Sequence, residues 1–415
     1  MSSLTPTSDG ALRVAFVAPF GLAPKGTVSV RALPLARALA ARGHQVTVFV
    51  PPWNDRTRSG QVWEEAEAGV RVVNLRLPPH PALDPPLLAA ALVREVGRAA
   101  PHVVHAFKPK AYSGLVAAVW WWLSRLGRRR ARVVVDADDW EGRGGWNELE
   151  PYPAPLKWAF ARQEHYGLTH AHGVTVASRA LETLVWSLGV PPERVCYVPN
   201  GPGLSLQAPP SPERVVALRA EMGLEGRPVV LLYTRFFEFD VARLAQVWGR
   251  VVAACPDARL LVVGRGLFGE EVRFAEEVRR MGLGETLVQA GWVPAREVAD
   301  YLALAHVALY PMDDTLVNRA KCPVKLADLL ALEVPVVGEA VGQVVEYLAD
   351  GAGVLVPPGD VARFARAVVS LLRDPEQARR LGRAGRQRLE RHFAWSVQAG
   401  RVEALYRRLL APHST

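Results

Sequence analysis

Short apolar runs alternate with longer amphipathic stretches along nearly the whole chain. The short runs are rich in Val, Leu and Ala and are bounded by Gly, Pro or charged residues, which is the pattern of strands buried on both faces. The longer stretches place apolar residues at helical spacing. Residues 13–19, 45–51, 71–77, 103–107, 133–136 and 174–177 are predicted strands. Residues 28–42, ended by Gly43, and 179–188 are predicted helices. Residues 201–212 are rich in Gly, Pro and Ser and read as a linker. A second series begins after it, with strands at 229–233, 259–263, 287–290, 307–310, 336–337 and 353–356, and a charged helical region closes the chain. Such alternation predicts an α/β protein built from two doubly wound parallel sheets, with ligands at the carboxyl ends of the strands. A chain of 415 residues also exceeds one ordinary core. The expected units are 1–205, 206–388 and a helical region 389–415 that packs back towards the first.

One segment carries chemistry. From Lys321 to Val337, Pro323 stands where a helix begins, Leu326, Leu329 and Leu330 repeat at helical spacing, and Pro335 ends it before Val336 and Val337. Lys325 and Asp328 are three apart and share a face. A cation and a carboxylate near a helix N-terminus suit a ligand bearing both phosphate and sugar hydroxyls.

Composition narrows the class. Half the residues are hydrophobic and 22% are charged, as in a globular chain. Cys196, Cys255 and Cys322 have no paired spacing, which argues against a disulfide framework or a zinc site and points to a reducing cytoplasm. The N-terminus lacks the basic-then-apolar pattern of a signal peptide, and no uncharged apolar run spans a bilayer. The net charge is +9, and it is uneven. Up to Ser205 there are 23 Lys and Arg against 16 Asp and Glu, and beyond it 27 against 25. A basic first half suits an anionic membrane surface or an acidic substrate, and no nucleic-acid module is visible.

The 321–337 segment resembles the donor-binding element of GT-B glycosyltransferases, in particular retaining family 4. The resemblance extends over nearly the whole chain. Residues 19–44 are similar to the glycine-rich loop and helix that open these enzymes. Ser178 and the run Val198, Pro199, Asn200, Gly201 resemble the end of the acceptor domain. The strand at 259–264, the turn Gly291, Trp292, Val293, Pro294, and residues 342–360 with Glu346 resemble parts of the donor domain. The implied activity is transfer of a sugar, with retention, from a nucleotide-diphosphate sugar to a hydroxyl acceptor. No metal or other cofactor is implied. The implied first domain binds the acceptor and the second the donor, across a cleft.

The resemblance also implies site residues. Gly26 would let backbone N–H groups approach the donor, and Lys25 replaces a glycine usual in that loop. Arg235, ending the strand at 229–233, would clamp the diphosphate with Lys325. A lysine usual about five residues beyond Arg235 is absent here. Asp328 would hold the ribose hydroxyls in place of a glutamate, and Trp292 and Val293 would contact the base. Gly264 and Glu346 complete the donor set. Ala320 stands where the family carries an acid facing the transferred sugar, with Asp313 and Asp314 nearby as substitutes.

The run Asp136, Ala137, Asp138, Asp139, Trp140, Glu141 places four acids after a strand. One reading is a metal-binding Asp-x-Asp pair, as in GT-A glycosyltransferases. The preferred one is an acceptor-side element, with Asp138 or Asp139 orienting an acceptor hydroxyl or the transferred sugar as catalytic residues. His105, Lys108, Asp138 and Trp140 form the expected acceptor set. Gly264, Gly266 and Gly269 also match the dinucleotide-binding spacing, but no acid stands at the next strand end, so the glycines read as a tight turn. Trp120, Trp121 and Trp122 on one predicted helix cannot share a face, so at least one turns outward, beside Arg128, Arg129 and Arg130. Aromatics beside arginines suit a membrane interface, hence peripheral contact with the inner face of a membrane. A non-catalytic nucleotide- or sugar-binding homologue and an NAD(P)-dependent oxidoreductase are the alternative readings.

Overall fold

The computed structural model describes residues 10–22, 26–65, 69–80, 84–203 and 209–411. The chain forms two compact units: residues 1–200 with 320–322 and 395–415, and residues 201–319 with 323–394.

The first unit holds an eight-stranded sheet. Its strands are β1 (Arg13–Val17), β2 (Gln45–Val50), β3 (Val62–Glu65), β4 (Val70–Asn74), β5 (Val103–Phe107), β6 (Arg132–Ala137), β7 (Gly173–Val176) and β8 (Val195–Tyr197), in the order β3-β4-β2-β1-β5-β6-β7-β8. Every pairing is parallel except β3 with β4. Central strands such as β5 are buried along their whole length, and apart from His105 the β5 sequence is apolar. The expected helix at 28–42 is split. A π-helical turn, Val28–Ala32, precedes the α-helix Leu33–Ala40. Pro34 has no N–H for the carbonyl of residue 30, and the Leu33 N–H reaches back to the Val28 carbonyl instead, which widens the turn. The closing helix Trp395–Leu410 belongs to this unit. It buries Val402, Leu405 and Tyr406, and its Glu403 accepts a 2.6 Å bond from Arg42.

The second unit holds a six-stranded, wholly parallel sheet. Its strands are β9 (Val229–Tyr233), β10 (Arg259–Val263), β11 (Leu287–Gly291), β12 (Val307–Tyr310), β13 (Val336–Glu339) and β14 (Val354–Val356), in the order β11-β10-β9-β12-β13-β14. Trp248 fills its core with Phe236, Phe274 and Phe364, and the indole N–H donates to Thr286 Oγ1 at 2.8 Å. Burying an indole without such an acceptor would leave its N–H unpaired.

Candidate functional site

In the second unit, Gly264 draws three strand ends together. Its φ is +125°, a region open to glycine, and a Cβ there would run into the carbonyl oxygen of Thr234 at the end of β9. Its N–H donates to the Gly291 carbonyl at 2.7 Å, at the end of β11. Arg235 and Trp292 project from those ends. The Arg235 guanidinium is exposed and lies 5.4 Å from the Phe237 ring. Trp292 is 72% exposed, whereas Val293 is buried.

The helix Val324–Ala331 presents the next pair. Pro323 is its N-cap residue. Lys325 Nζ sits 3.3 Å from the centre of the Tyr233 ring, a cation–π contact. Lys325, Tyr233, Thr234, Glu238 and Tyr310 line a pocket at the ends of β9 and β12. Asp328 is buried, and its Oδ1 accepts the Gly203 N–H at 2.6 Å. Burial pushes the Asp328 carboxyl up to about 6, against the Gly203 N–H and the Lys325 charge. Arg235, Gly264, Trp292, Lys325 and Asp328 thus cluster at one edge of one sheet. Glu346 lies on the helix Gln343–Leu348, half-buried, and among the described residues its carboxylate makes no hydrogen bond or ion pair.

Three further features of this unit bear on the expectations. Asp313 pairs with Arg243 and Asp314 with Arg319, so neither stands ready to replace the acid absent at Ala320. The glycine run 264–269 is not open to a pyrophosphate. The Gly266 N–H donates to Glu271 Oε2 at 3.0 Å and the Phe268 N–H to Glu270 Oε2 at 2.7 Å. Carboxylates of the next helix fill the place an anion would take, which removes the dinucleotide reading. Sequence reasoning also missed Glu339. It is fully buried at the end of β13, bonded to Arg243, and accepts the Met312 and Gly359 N–H groups at 2.7 Å.

In the first unit the acidic run meets basic partners. Asp136, fully buried, forms a two-pronged pair with Arg31, at 2.7 and 2.6 Å. Arg31 also donates to the Val198 carbonyl and to Asn200 Oδ1. Asp139 accepts from Lys108 Nζ at 2.7 Å, and Glu141 is bonded to both Lys108 and Lys110. Burial works against the Lys108 charge, but Asp138, Asp139 and Glu141 outweigh it and hold the ammonium well above its ordinary pKa. The cation among these carboxylates is therefore a lysine, which argues against the Asp-x-Asp metal reading. Asp138 accepts from the Thr27 hydroxyl at 3.0 Å, next to Gly26. Its other oxygen is buried, has no hydrogen-bond donor among the described residues, and lies 3.5 Å from Lys108 Nζ. Burial, reinforced by Asp139 and Asp136, pushes the Asp138 carboxyl up to about 7, while Lys108 opposes the shift. A carboxyl titrating near neutrality can donate a hydrogen bond as an acid or accept one as an anion. Gly26 is exposed, and Lys25 lies outside the described residues.

The matches to known proteins bear on both units. The family model described as Glycosyl transferase 4-like domain matches residues 26–201, and that of Glycosyl transferases group 1 matches residues 227–374. The chain belongs to the group 1 GT-B glycosyltransferases. The GDP-mannose-dependent alpha-(1-6)-phosphatidylinositol monomannoside mannosyltransferase of Mycolicibacterium smegmatis is 28% identical over 380 residues, covering 88% of this chain and 90% of that protein. Sucrose-phosphate synthase from Thermosynechococcus elongatus matches with TM-score 0.69 at 23% identity, covering 96% of this chain and 99% of that one. The catalytic domain of starch synthase IV from Arabidopsis thaliana, bound to ADP and acarbose, matches with TM-score 0.73 at 14% identity, covering 97% and 100%. The two structures bear on the fold. This glycosyltransferase is a hexosyl-transferring enzyme that uses nucleotide-sugar donors.

Within the glycosyltransferase, three of the expected acceptor residues have partners inside the protein. His105 is fully buried, its Nδ1 2.6 Å from the Tyr406 hydroxyl and its Nε2 3.0 Å from Thr175 Oγ1. Burial lowers its pKa to about 4, so it is neutral and structural rather than a contact for an acceptor. Lys108 is likewise committed, as the counter-ion of the acidic run. The Trp140 indole N–H is bonded within its own loop, to the Arg143 carbonyl at 3.0 Å. Thr27 and Arg31 escaped sequence reasoning. The one available signal was an arginine standing four residues after Thr27 and four before Leu35, on a helix face that is otherwise apolar.

Proposed function

We propose that this glycosyltransferase moves a hexose, with retention, from a nucleoside-diphosphate sugar to a hydroxyl acceptor without a metal. The gathering of Arg235, Lys325 and Asp328 at the carboxyl ends of β9 and β12, within the group 1 domain, carries this reading. Arg235 and Lys325 neutralise the diphosphate, Asp328 accepts the ribose hydroxyls, and exposed Trp292 offers a face to the base. The bond from C1 of the sugar to the diphosphate oxygen breaks, and the acceptor oxygen bonds C1 on the same face. The acceptor proton passes to the leaving diphosphate. Stabilising that diphosphate is the main electrostatic demand. In the first unit, Asp138 orients an acceptor hydroxyl, with Asp139 fixing Lys108 beside it.

GDP-mannose is the first donor to test, since the mannosyltransferase relative is named for it. That relative's name also gives a phosphatidylinositol-based acceptor, so a lipid-borne acceptor at the cytoplasmic face of a membrane belongs to the same reading. Incubation of the purified protein with GDP-, UDP- and ADP-hexoses, with release of nucleoside diphosphate followed in the presence of polar-lipid extract, tests it. Acceptor-dependent release from one donor supports the reading, and no release from any of them removes it.

A further inference from the structure

The helix Ala111–Arg125 is apolar on two sides. One side, with Val116, Ala117 and Trp120, is buried within the first unit. The other bears Leu115, Val119, Trp122 and, just past the helix end, Leu126, at spacings of four, three and four residues. Each is substantially exposed, Trp122 by 53% and Leu126 by 61%. That spacing lines them up as one stripe about 16 Å long. A helix that packs on one side and remains apolar on its outer side has an unpartnered face.

The charge at the end of the stripe identifies its partner. Arg125, Arg128, Arg129 and Arg130 are all exposed at its C-terminal end. Arg125 and Arg129 lie 5.7 Å from the rings of Trp121 and Trp120, and among the described residues none of the four forms an ion pair. Residues 111–130 contain no Asp or Glu. The adjoining helix Ala154–Thr169, tied to the first by Gln163 and Ala111, carries exposed Leu156 and Trp158 with Arg162. A protein partner would need complementary acids, whereas an apolar stripe that ends in a cluster of unpaired arginines matches the boundary between acyl chains and anionic headgroups.

We propose that the outer face of Ala111–Arg125, with Arg128, Arg129 and Arg130, docks this enzyme on an anionic lipid surface. Trp122 and Leu126 enter the headgroup boundary, and the arginines meet lipid phosphates. The inference deepens the lipid-borne acceptor reading and rests on it for its biological sense, but its test needs no sugar transfer.

Full-length protein is sedimented with vesicles of phosphatidylcholine alone and with vesicles containing phosphatidylglycerol. Binding is expected to the second kind and to fall steeply with salt. Replacing Arg128, Arg129 and Arg130 together by Ala should weaken it about 100-fold, from about tenfold per 1.4 kcal/mol and about 1 kcal/mol for each arginine. Trp122→Ser with Leu126→Ser should weaken it at least about tenfold. The melting temperature of each variant is measured alongside, and all replaced side chains are exposed. Failure of the wild type to bind anionic vesicles, or equal binding by the variants, would overturn the proposal, as would a concentration-dependent dimer abolished by the Trp122 and Leu126 changes. Vesicle binding without any hexose transfer would instead count against the proposed function alone.

Discussion

Thr27 Oγ1 donates a 3.0 Å hydrogen bond to Asp138 Oδ2 across 111 residues of sequence, which fixes the start of the π-helical turn Val28–Ala32 to the end of β6. The hydroxyl supports the ionised form of a carboxyl that burial holds at about 7. Thr27→Val should therefore raise that pKa further and slow transfer by about tenfold, the worth of one hydrogen bond to a charged group. Thr27→Ser should behave as wild type. A pH profile of kcat/KM for both variants checks this, and coincident profiles would separate Thr27 from the site.

Asp138→Asn removes the titrating group itself. The pH–rate profile of the wild type should contain a limb with an apparent pKa near 7, and the Asn variant should lack it. A limb that persists unchanged in the variant would belong to another group.

Asp328 separates stability from binding. Its folded pKa, about 6, is raised above the value of an unfolded aspartate. Its contribution to stability is therefore fully present below the unfolded pKa and is lost as pH rises through about 6, because the buried carboxyl must then ionise. Asp328→Asn, which keeps an acceptor for the Gly203 N–H, should melt higher than wild type at pH 7. The same change should weaken nucleotide binding, since a carboxylate accepts two hydroxyls better than an amide. Wild-type affinity should rise as pH increases from about 5 to 7, as the bound form needs the anion. Calorimetric titrations with nucleoside diphosphate at several pH values, beside melting curves, read both effects.

Gly264→Ala should cost about 1–3 kcal/mol of stability, because alanine at φ +125° is strained and its methyl meets the Thr234 carbonyl. Since the same contact positions Arg235, nucleotide affinity should fall with stability. Urea unfolding with and without nucleotide measures both.

The sequence made the strands legible because parallel strands buried on both faces are nearly continuous apolar runs, and β5, β9, β10 and β12 lie where those runs predict. The carboxyl ends came with them, and so did the positions of Arg235, Gly264 and Trp292. Two strands were not legible. β3 is a charged edge strand paired antiparallel, and β8 has only three residues. Side-chain partners were hidden for another reason. His105 looks like a cleft histidine until Tyr406, 301 residues away, and Thr175 are seen to close over it. The Glu270 and Glu271 carboxylates that fill the glycine turn, and the Arg243–Glu339 pair, likewise depend on distances that spacing along the chain does not encode.

On this reading the carboxyl edge of the second sheet binds a nucleoside diphosphate through Arg235. Isothermal titration of wild type and Arg235→Ala with GDP, UDP and ADP measures that contact. Arg235 is exposed and its replacement should leave the melting temperature unchanged. Wild type should bind at least one of the three, and Arg235→Ala should bind it about 10- to 100-fold more weakly, the loss of one charge-assisted phosphate clamp. Equal affinity in the two proteins, or no binding of any diphosphate by the wild type, would show that Arg235 does not hold a diphosphate.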